Sequence, residues 1–362
     1  RRMQSVTARQ DGHRRSLRSM LEEMTALQKI LEIRDLKIWF PVRSGFLRSL
    51  FGKEEKFVHA VDGISFDVHR GEVFCLVGES GCGKTTTARS ILRLIDPTSG
   101  TIKLIEGDTT TDLSSATKQE IRGLRPRMQL IFQDPYESLD PKMSVLDQLS
   151  EPLQVNKVAG TRKEKMDRIM IGLADVGLVP PDTFLYRYPH ELSGGQRQRV
   201  GIASSMILNP IVLVADEPVS MVDVSMRAEI LGIMLDIKKK GEATFLLITH
   251  DFSLAWAVGD RIAVMYSGKI VEMGPTFDVI REPKHPYTRA LVSVVPVPDP
   301  TLQRKRIILR GEVPDPVDVP AGCRFHPRCP IAKQRCKVEE PQIQNVATEH
   351  QVACHFWQEP FS

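Results

Sequence analysis

Residues 78–85 read Gly-Glu-Ser-Gly-Cys-Gly-Lys-Thr, and an unbroken apolar run, Val73-Phe74-Cys75-Leu76-Val77, leads straight into them. A run with no polar position to turn toward water reads as a strand buried on both faces, the kind found in parallel sheets covered by helices. From Thr86 to Leu94 the sequence reads as a helix, so the order is strand, glycine-rich loop, helix. Glycines let the backbone wrap tightly, and several N–H groups and the positive end of the following helix then converge on one anion. The pattern G-x-x-x-x-G-K-[ST] is met at every fixed position. Lys84 adds a mobile cation for β- and γ-phosphates, and the Thr85 hydroxyl is placed to ligate Mg²⁺. A nucleoside triphosphate site is expected over Gly78, Ser80, Gly81, Cys82, Gly83, Lys84, Thr85 and Thr86.

A net charge of +4 over 362 residues is too mild for a dedicated nucleic-acid binder. No apolar stretch approaches the ~18 residues needed to cross a bilayer, so any membrane role requires a partner. Residues 1–30 form an Arg- and Ser-rich leader with no apolar signal core; a disordered or partly helical segment is expected, with a transit peptide as the alternative.

Alternation marks Leu31 to Phe40 and Val58 to Val68 as strands, separated by a basic loop. Between about 134 and 206 the character is helical. Ile211 to Ala215 and Thr244 to Thr249 are again fully apolar strands, and Arg261 to Val271 reads as a hairpin turning at Gly268. Beyond the Pro-rich stretch Val295 to Pro300 a separate C-terminal module, with little helical signal, is expected.

Leu192-Ser193-Gly194-Gly195-Gln196 opens a helix with a second Ser-Gly-Gly turn, which is either a plain helix cap or a second anion site. Asp216-Glu217 ends an apolar strand, where adjacent carboxylates emerge at the C-terminal edge of a parallel sheet. Asp216 is suited to the Mg²⁺ hydration shell and Glu217 to the water that attacks the γ-phosphate. His250 ends the next strand and is suited to that phosphate and its water, while Gln133 follows Gln129 to Phe132 and can reach the same metal.

With these residues in this order the chain resembles the ATP-binding subunits of ATP-binding-cassette (ABC) transporters, from about Leu31 to Pro286. Gln133 matches the Q-loop, Leu192–Gln196 the LSGGQ sequence, Asp216-Glu217 the end of the Walker B strand, Asp223 the D-loop and His250 the switch. The resemblance implies an α/β fold: a RecA-like P-loop nucleotide-binding domain with an inserted α-helical subdomain, here about 134–206. It implies ATP with Mg²⁺, held by Thr85, Gln133 and Asp216. Catalysis would rest on Glu217, His250 and Gln133. It further implies a head-to-tail pair, in which Ser193, Gly194, Gly195, Gln196 and Asp223 act on the ATP of the opposite subunit. Phe40 falls where the family stacks an aromatic ring on adenine, with Trp39 as the competing candidate. The D-loop departs from the usual Ser-Ala-Leu-Asp, reading Ser220-Met221-Val222-Asp223, an exchange of apolar for apolar. Because Glu217 is retained, hydrolysis is expected.

The segment Phe132 to Pro141 and the tail, with His285-Pro286-Tyr287-Thr288 and Gly322 to Pro330, narrow the resemblance to dipeptide/oligopeptide importer ATPases, the F-type rather than the D-type. That subfamily implies ATP-driven uptake of peptides or a similar small solute from the cytoplasmic face of the inner or plasma membrane. Its partners would be a second ABC ATPase (a D-type paralogue or another copy), two permease subunits and, indirectly, an extracytoplasmic binding protein, with no nucleic acid. The alternative is a soluble ABC-type ATPase acting on ribosomes or DNA; such relatives usually carry two cassettes in one chain or a long coiled coil, and neither is visible here. The tail, 287–362, carries Cys323, Cys329, Cys336 and Cys354 at spacings C-x5-C-x6-C-x17-C, while Cys75 and Cys82 read as small fillers. Four thiolates suit Zn²⁺ or a [4Fe–4S] cluster; the resemblance favours iron–sulfur, with zinc or unrelated thiols as alternatives.

Overall fold

Two long strands, β1 (Lys29–Pro41) and β2 (Phe57–His69), pair antiparallel at the start of the described chain. The protein is described here by a computed structural model covering residues 28–42, 55–134, 138–158, 160–241, 243–295 and 306–359. Most of the leader, of the basic loop and of the Pro-rich stretch lies outside the described residues, as do residues 135–137 within the segment Phe132 to Pro141. Alternation in β1 holds through a bulge: Leu31 and Ile33 are buried, then Leu36 and Ile38, because Asp35 takes φ 46° and shifts the phase by one residue.

After β3 (Val73–Val77) come β4 (Ser99–Glu106) and β5 (Thr109–Asp112), which join the first two strands in a sheet ordered β2-β1-β4-β5 among the described residues. The other sheet contains β6 (Met128–Ile131), β7 (Val212–Asp216), β8 (Thr244–Thr249), β9 (Arg261–Tyr266), β10 (Lys269–Pro275), β11 (Gln344–Ala347) and β12 (His350–Val352). Its order is β11-β12-β10-β9-β3-β8-β7-β6, parallel from β9 to β6 and antiparallel from β9 to β11.

β3 lies inside this sheet, between β8 and β9, and its alternation divides two apolar cores. Phe74 and Leu76 pack toward the first sheet with Ile33, Ile64 and Ile91, whereas Val73, Cys75 and Val77 face the helices on the other side. The strands beside it repeat the division: Leu246 and Ile248 go one way, Phe245 and Leu247 the other.

Between β6 and β7 the chain inserts the helices Val145–Val155, Arg162–Asp175 and Gly194–Met206. Each begins with a reciprocal cap, Ser144 with Asp147, Thr161 with Glu164 and Ser193 with Gln196. Leu149, Leu173 and Val200 bury the inner faces of these helices in the same core as Val77.

The tail does not stand apart from the sheet. β12 pairs with β10, Glu272 opposite Val352, and Phe325 lies in the helix-side core. The fully buried Glu272 carboxylate joins these parts, accepting from the backbone N–H of Lys284 (2.7 Å) and His285 (2.9 Å) and lying 2.8 Å from His350 Nε2. Burial lowers the His285 pKa to about 3, so its neutral Nδ1 accepts from the Tyr287 N–H at 3.1 Å. Removing a buried acceptor orphans its donors. Glu272→Ala should therefore destabilise the chain by about 3 kcal/mol in chemical denaturation, about 1 for each partner lost; a change below about 0.5 kcal/mol, the range of neutral surface changes, would show that this carboxylate does not anchor the tail.

Candidate active site

β3 ends at Val77, and the chain turns at once through the phosphate loop. Gly78 takes φ 156° and Gly83 φ 107°; a Cβ at Gly78 would lie 2.2 Å from the Met265 carbonyl oxygen, and one at Gly83 2.2 Å from that of Ala60. Only glycine allows this backbone-on-backbone approach. Lys84 opens the helix Lys84–Ile91, and its ammonium donates to the carbonyls of Gly78 (2.8 Å) and Glu79 (2.9 Å), which holds it across the loop. Cys82 is buried, with a thiol pKa raised by burial, in keeping with a filler beneath the loop.

The loop borders a cavity of about 610 Å³ lined by Gly78, Glu79, Ser80, Gly81, Gly83, Lys84, Thr85 and Thr86 together with Gln133, Glu217 and His250. Residues picked out at four separate places in the sequence thus share one cavity. Thr85 Oγ1 donates to Asp216 Oδ1 at 3.1 Å, which sets two oxygen donors side by side. Burial raises the Asp216 pKa and the neighbouring Glu217 charge adds to it, while the Thr85 bond opposes them. A divalent cation would relieve that accumulated negative charge, and the donor set fits Mg²⁺.

Glu217 sits at φ 47°, a left-handed conformation that costs a non-glycine residue about 1 kcal/mol. Its N–H donates to Ile248 O at 2.9 Å, which ties the turn after β7 to β8. Its carboxylate accepts from Gln133 Nε2 at 3.2 Å on one oxygen and lies 3.0 Å from His250 Nδ1 on the other. Three strand ends therefore meet on one carboxylate.

Other expected residues lie elsewhere. Ser193 Oγ accepts from the Gln196 N–H at 3.2 Å, and Gln196 Oε1 accepts from the Ser193 N–H at 3.0 Å, so within one chain this turn caps its helix. Ser193 and Gly194 are exposed and do not line the cavity; Gly195 is buried against the Met226 side chain. Asp223, also exposed, precedes the helix Val224–Lys239 without capping it. Phe40 is 38% exposed and is not among the lining residues, although Val58, its register partner across β2, is. Trp39 is engaged otherwise: it stacks on His59 with centroids 4.3 Å apart and donates through Nε1 to Asp62 at 3.0 Å. The sequence gives no notice of Ala60, Leu291 or Pro316 as lining residues. Pro316 reaches the cavity because its carbonyl accepts from the His59 N–H at 2.9 Å, a contact between distant segments that no local motif encodes.

In the tail, Cys323, Cys329, Cys336 and Cys354 are free thiols. The Cys323 N–H donates to Cys336 O at 2.8 Å. Burial, with a further push from the other cysteines, raises the thiols of Cys323 to about 11 and Cys329 to about 12. Among the described residues, no three His, Cys, Asp or Glu side chains are gathered as ligands of a metal ion.

The ABC transporter family model matches residues 61–220, and that of the oligopeptide/dipeptide transporter C-terminal region matches 271–336. The oligopeptide transport ATP-binding protein AppF of Bacillus subtilis is 43% identical over 339 residues, covering 92% of this chain and 100% of that protein. Among solved structures, a dimeric ATP-binding cassette, MJ0796, in a post-hydrolysis state with ADP and Pi superposes with a TM-score of 0.58 at 23% identity, over 68% of this chain and 99% of that one. The cbiO1 protein of Clostridium perfringens, part of the ABC transporter complex cbiONQ, gives a TM-score of 0.57 at 26% identity, over 70% of this chain and 92% of that one.

The two glycine environments make separable predictions. Gly83→Ala sets a Cβ into the Ala60 carbonyl and should abolish ATP binding in calorimetric titration. Gly81→Ala, at φ 78° with no atom within 4 Å, should cost only the left-handed backbone penalty of about 1–2 kcal/mol and leave measurable binding. Equal losses at both positions would show that contact with Ala60 does not shape the loop.

Proposed function

The chain belongs to the ABC transporter ATP-binding proteins that carry the oligopeptide/dipeptide C-terminal region, and on that footing we propose that it hydrolyses ATP to power import of peptides or a similar small solute. The observation that carries the hydrolytic part is the Glu217 carboxylate, held between Gln133 and His250 beside the phosphate loop. The C-terminal family match supports transport over an ATPase acting on ribosomes or DNA.

In this reading the loop amides and Lys84 bind the β- and γ-phosphates, and the helix Lys84–Ile91 adds its positive end. Mg²⁺, when bound, supplies charge neutralisation at the phosphates and would be held by Thr85, Asp216 and Gln133. Glu217 orients the attacking water and takes its proton as the new P–O bond forms at the γ-phosphorus and the bridging P–O bond breaks, with ADP as the leaving group and inorganic phosphate as the second product. His250 fixes one carboxylate oxygen of Glu217 and Gln133 the other, so the base cannot rotate away. Phe40, paired with the cavity-lining Val58, is the proposed adenine contact. The exposure of Ser193, Gly194 and Asp223 outside the chain's own cavity supports their action, with Gly195 and Gln196, on the ATP of an opposite subunit.

The partners in this reading are a second ABC ATPase, either a D-type paralogue or another copy, and two permease subunits fed by an extracytoplasmic binding protein. On the importer reading the chain sits peripherally at the cytoplasmic face, held by the permeases; among the described residues no helix is long and apolar enough to cross a membrane. Residues 31–286 would form the nucleotide-binding domain and 287–362 the C-terminal module. There the four cysteines are assigned to a [4Fe–4S] cluster, with Zn²⁺ as the alternative. The crowding of four of the chain's six cysteines into residues 323–354 is what supports this assignment.

Glu217→Gln should keep ATP binding and slow turnover by about two to four orders of magnitude, the scale of a lost general base. Steady-state ATPase near wild type in an assembled transporter would remove Glu217 from this role. Anaerobically purified protein should be brown and carry about four irons per chain. Stoichiometric zinc without iron would decide for zinc, and neither metal would leave four ordinary thiols.

A further inference from the structure

Glu79 occupies a position the phosphate-loop pattern leaves open, yet the tail grips it from two directions. Arg328 Nη1 and Nη2 donate to Glu79 Oε2 (2.7 Å) and Oε1 (3.1 Å), a fork-to-fork pair. The Arg328 side chain is 8% exposed, and its guanidinium lies 5.8 Å from the Tyr266 ring centroid. Tyr287 holds the backbone of the same residue, its hydroxyl accepting from the Glu79 N–H at 3.0 Å. The Glu79 carbonyl accepts from Lys84 Nζ, so the N–H, carbonyl and carboxylate of one loop residue are all engaged.

Tyr287 is itself held in place. It is fully buried, edge-on to Tyr266 with centroids 4.7 Å apart, and its own N–H is bonded to His285, which Glu272 fixes in turn. Arg328 immediately precedes Cys329. The tail therefore contacts the phosphate loop directly, through Tyr287 and Arg328.

We propose that Arg328 and Tyr287 are positioning residues for the phosphate loop, and that through them the cysteine-bearing tail sets the affinity of the chain for ATP. The proposal rests on the phosphate loop being the nucleotide site, as read above. A contact that merely docked the tail would alter stability; a contact that shapes the loop alters nucleotide affinity through Glu79.

The test is MgATP titration of the full chain by calorimetry, with thermal melts of each variant. Arg328→Gln and Glu79→Ala should each weaken binding about tenfold, the scale of a charge-assisted pair, and the double variant should be no weaker than the worse single one. Arg328→Lys, which keeps the charge and loses the fork, should recover part of the loss. Tyr287→Phe should weaken binding about threefold, in keeping with one neutral hydrogen bond. Folded Arg328→Gln and Tyr287→Phe proteins with wild-type affinity would overturn the proposal. So would a double variant whose loss is the product of the single losses, since Arg328 would then act independently of Glu79. If Arg328→Gln fails to fold, Glu79→Ala and Tyr287→Phe carry the same decision. Lys84→Ala serves as the reference: wild-type ATP affinity in that variant would overturn the nucleotide-site reading and the proposal with it, whereas loss there with no change at Arg328 or Tyr287 overturns the proposal alone.

Discussion

The phosphate loop is pressed between two backbone carbonyls, that of Ala60 from β2 and that of Met265 from β9, and glycine is required at each contact. These carbonyls come from different sheets, so the loop has its shape only where the two sheets meet. The Cys82 carbonyl accepts from the Gly268 N–H in the turn between β9 and β10, and the Asp62 N–H donates to the Gly268 carbonyl. Loop, turn and first sheet are joined in one short chain of backbone bonds. From that fixed origin the helix Lys84–Ile91 takes its direction, and Thr85 comes within hydrogen-bond distance of Asp216. An anion site made of backbone dipoles depends on such rigidity, because its donors must already point inward before the phosphates arrive.

Much of this was legible because it is encoded locally. Runs such as Val73 to Val77 and Thr244 to Thr249 have no face to turn to water, and the structure makes each a buried strand of the parallel sheet. The polar residues just beyond such strands, Glu217 and His250, reach one cavity because parallel strands deliver their C-terminal ends to one edge. What the sequence hides is non-local. β5 (Thr109–Asp112) has no apolar residue to alternate, and β11 and β12 are too short to register as a pattern, while in β4 only Ile102 and Leu104 are buried, on either side of Lys103. The roles of Pro316, Tyr287 and Arg328 rest on hydrogen bonds across 200 residues or more, and no spacing rule reaches that far. Phe40 shows the reverse case, a position inferred by resemblance that the cavity lining does not include.

The tail is integrated with the ATPase core at three levels. It extends the central sheet through the pairing of β12 with β10, it places Phe325 in the helix-side core, and it neutralises Glu79 with Arg328. Glu272 is the common anchor, since it holds both the segment leading to Tyr287 and, through His350, the terminal hairpin. A buried carboxylate with three partners is sensitive to losing any of them. Disturbance in the cysteine-bearing region therefore has a short route to the phosphate loop.

On the reading proposed above, one chain's phosphate loop and another chain's Ser193–Gln196 turn enclose the same ATP. Hydrogen exchange measured on the assembled transporter, with Glu217→Gln preventing turnover, tests it most directly. On addition of MgATP exchange should slow over 78–86 and over 192–198 together, at the same nucleotide concentration. Slowed exchange confined to the phosphate loop, with 192–198 unchanged at saturating MgATP, would contradict it.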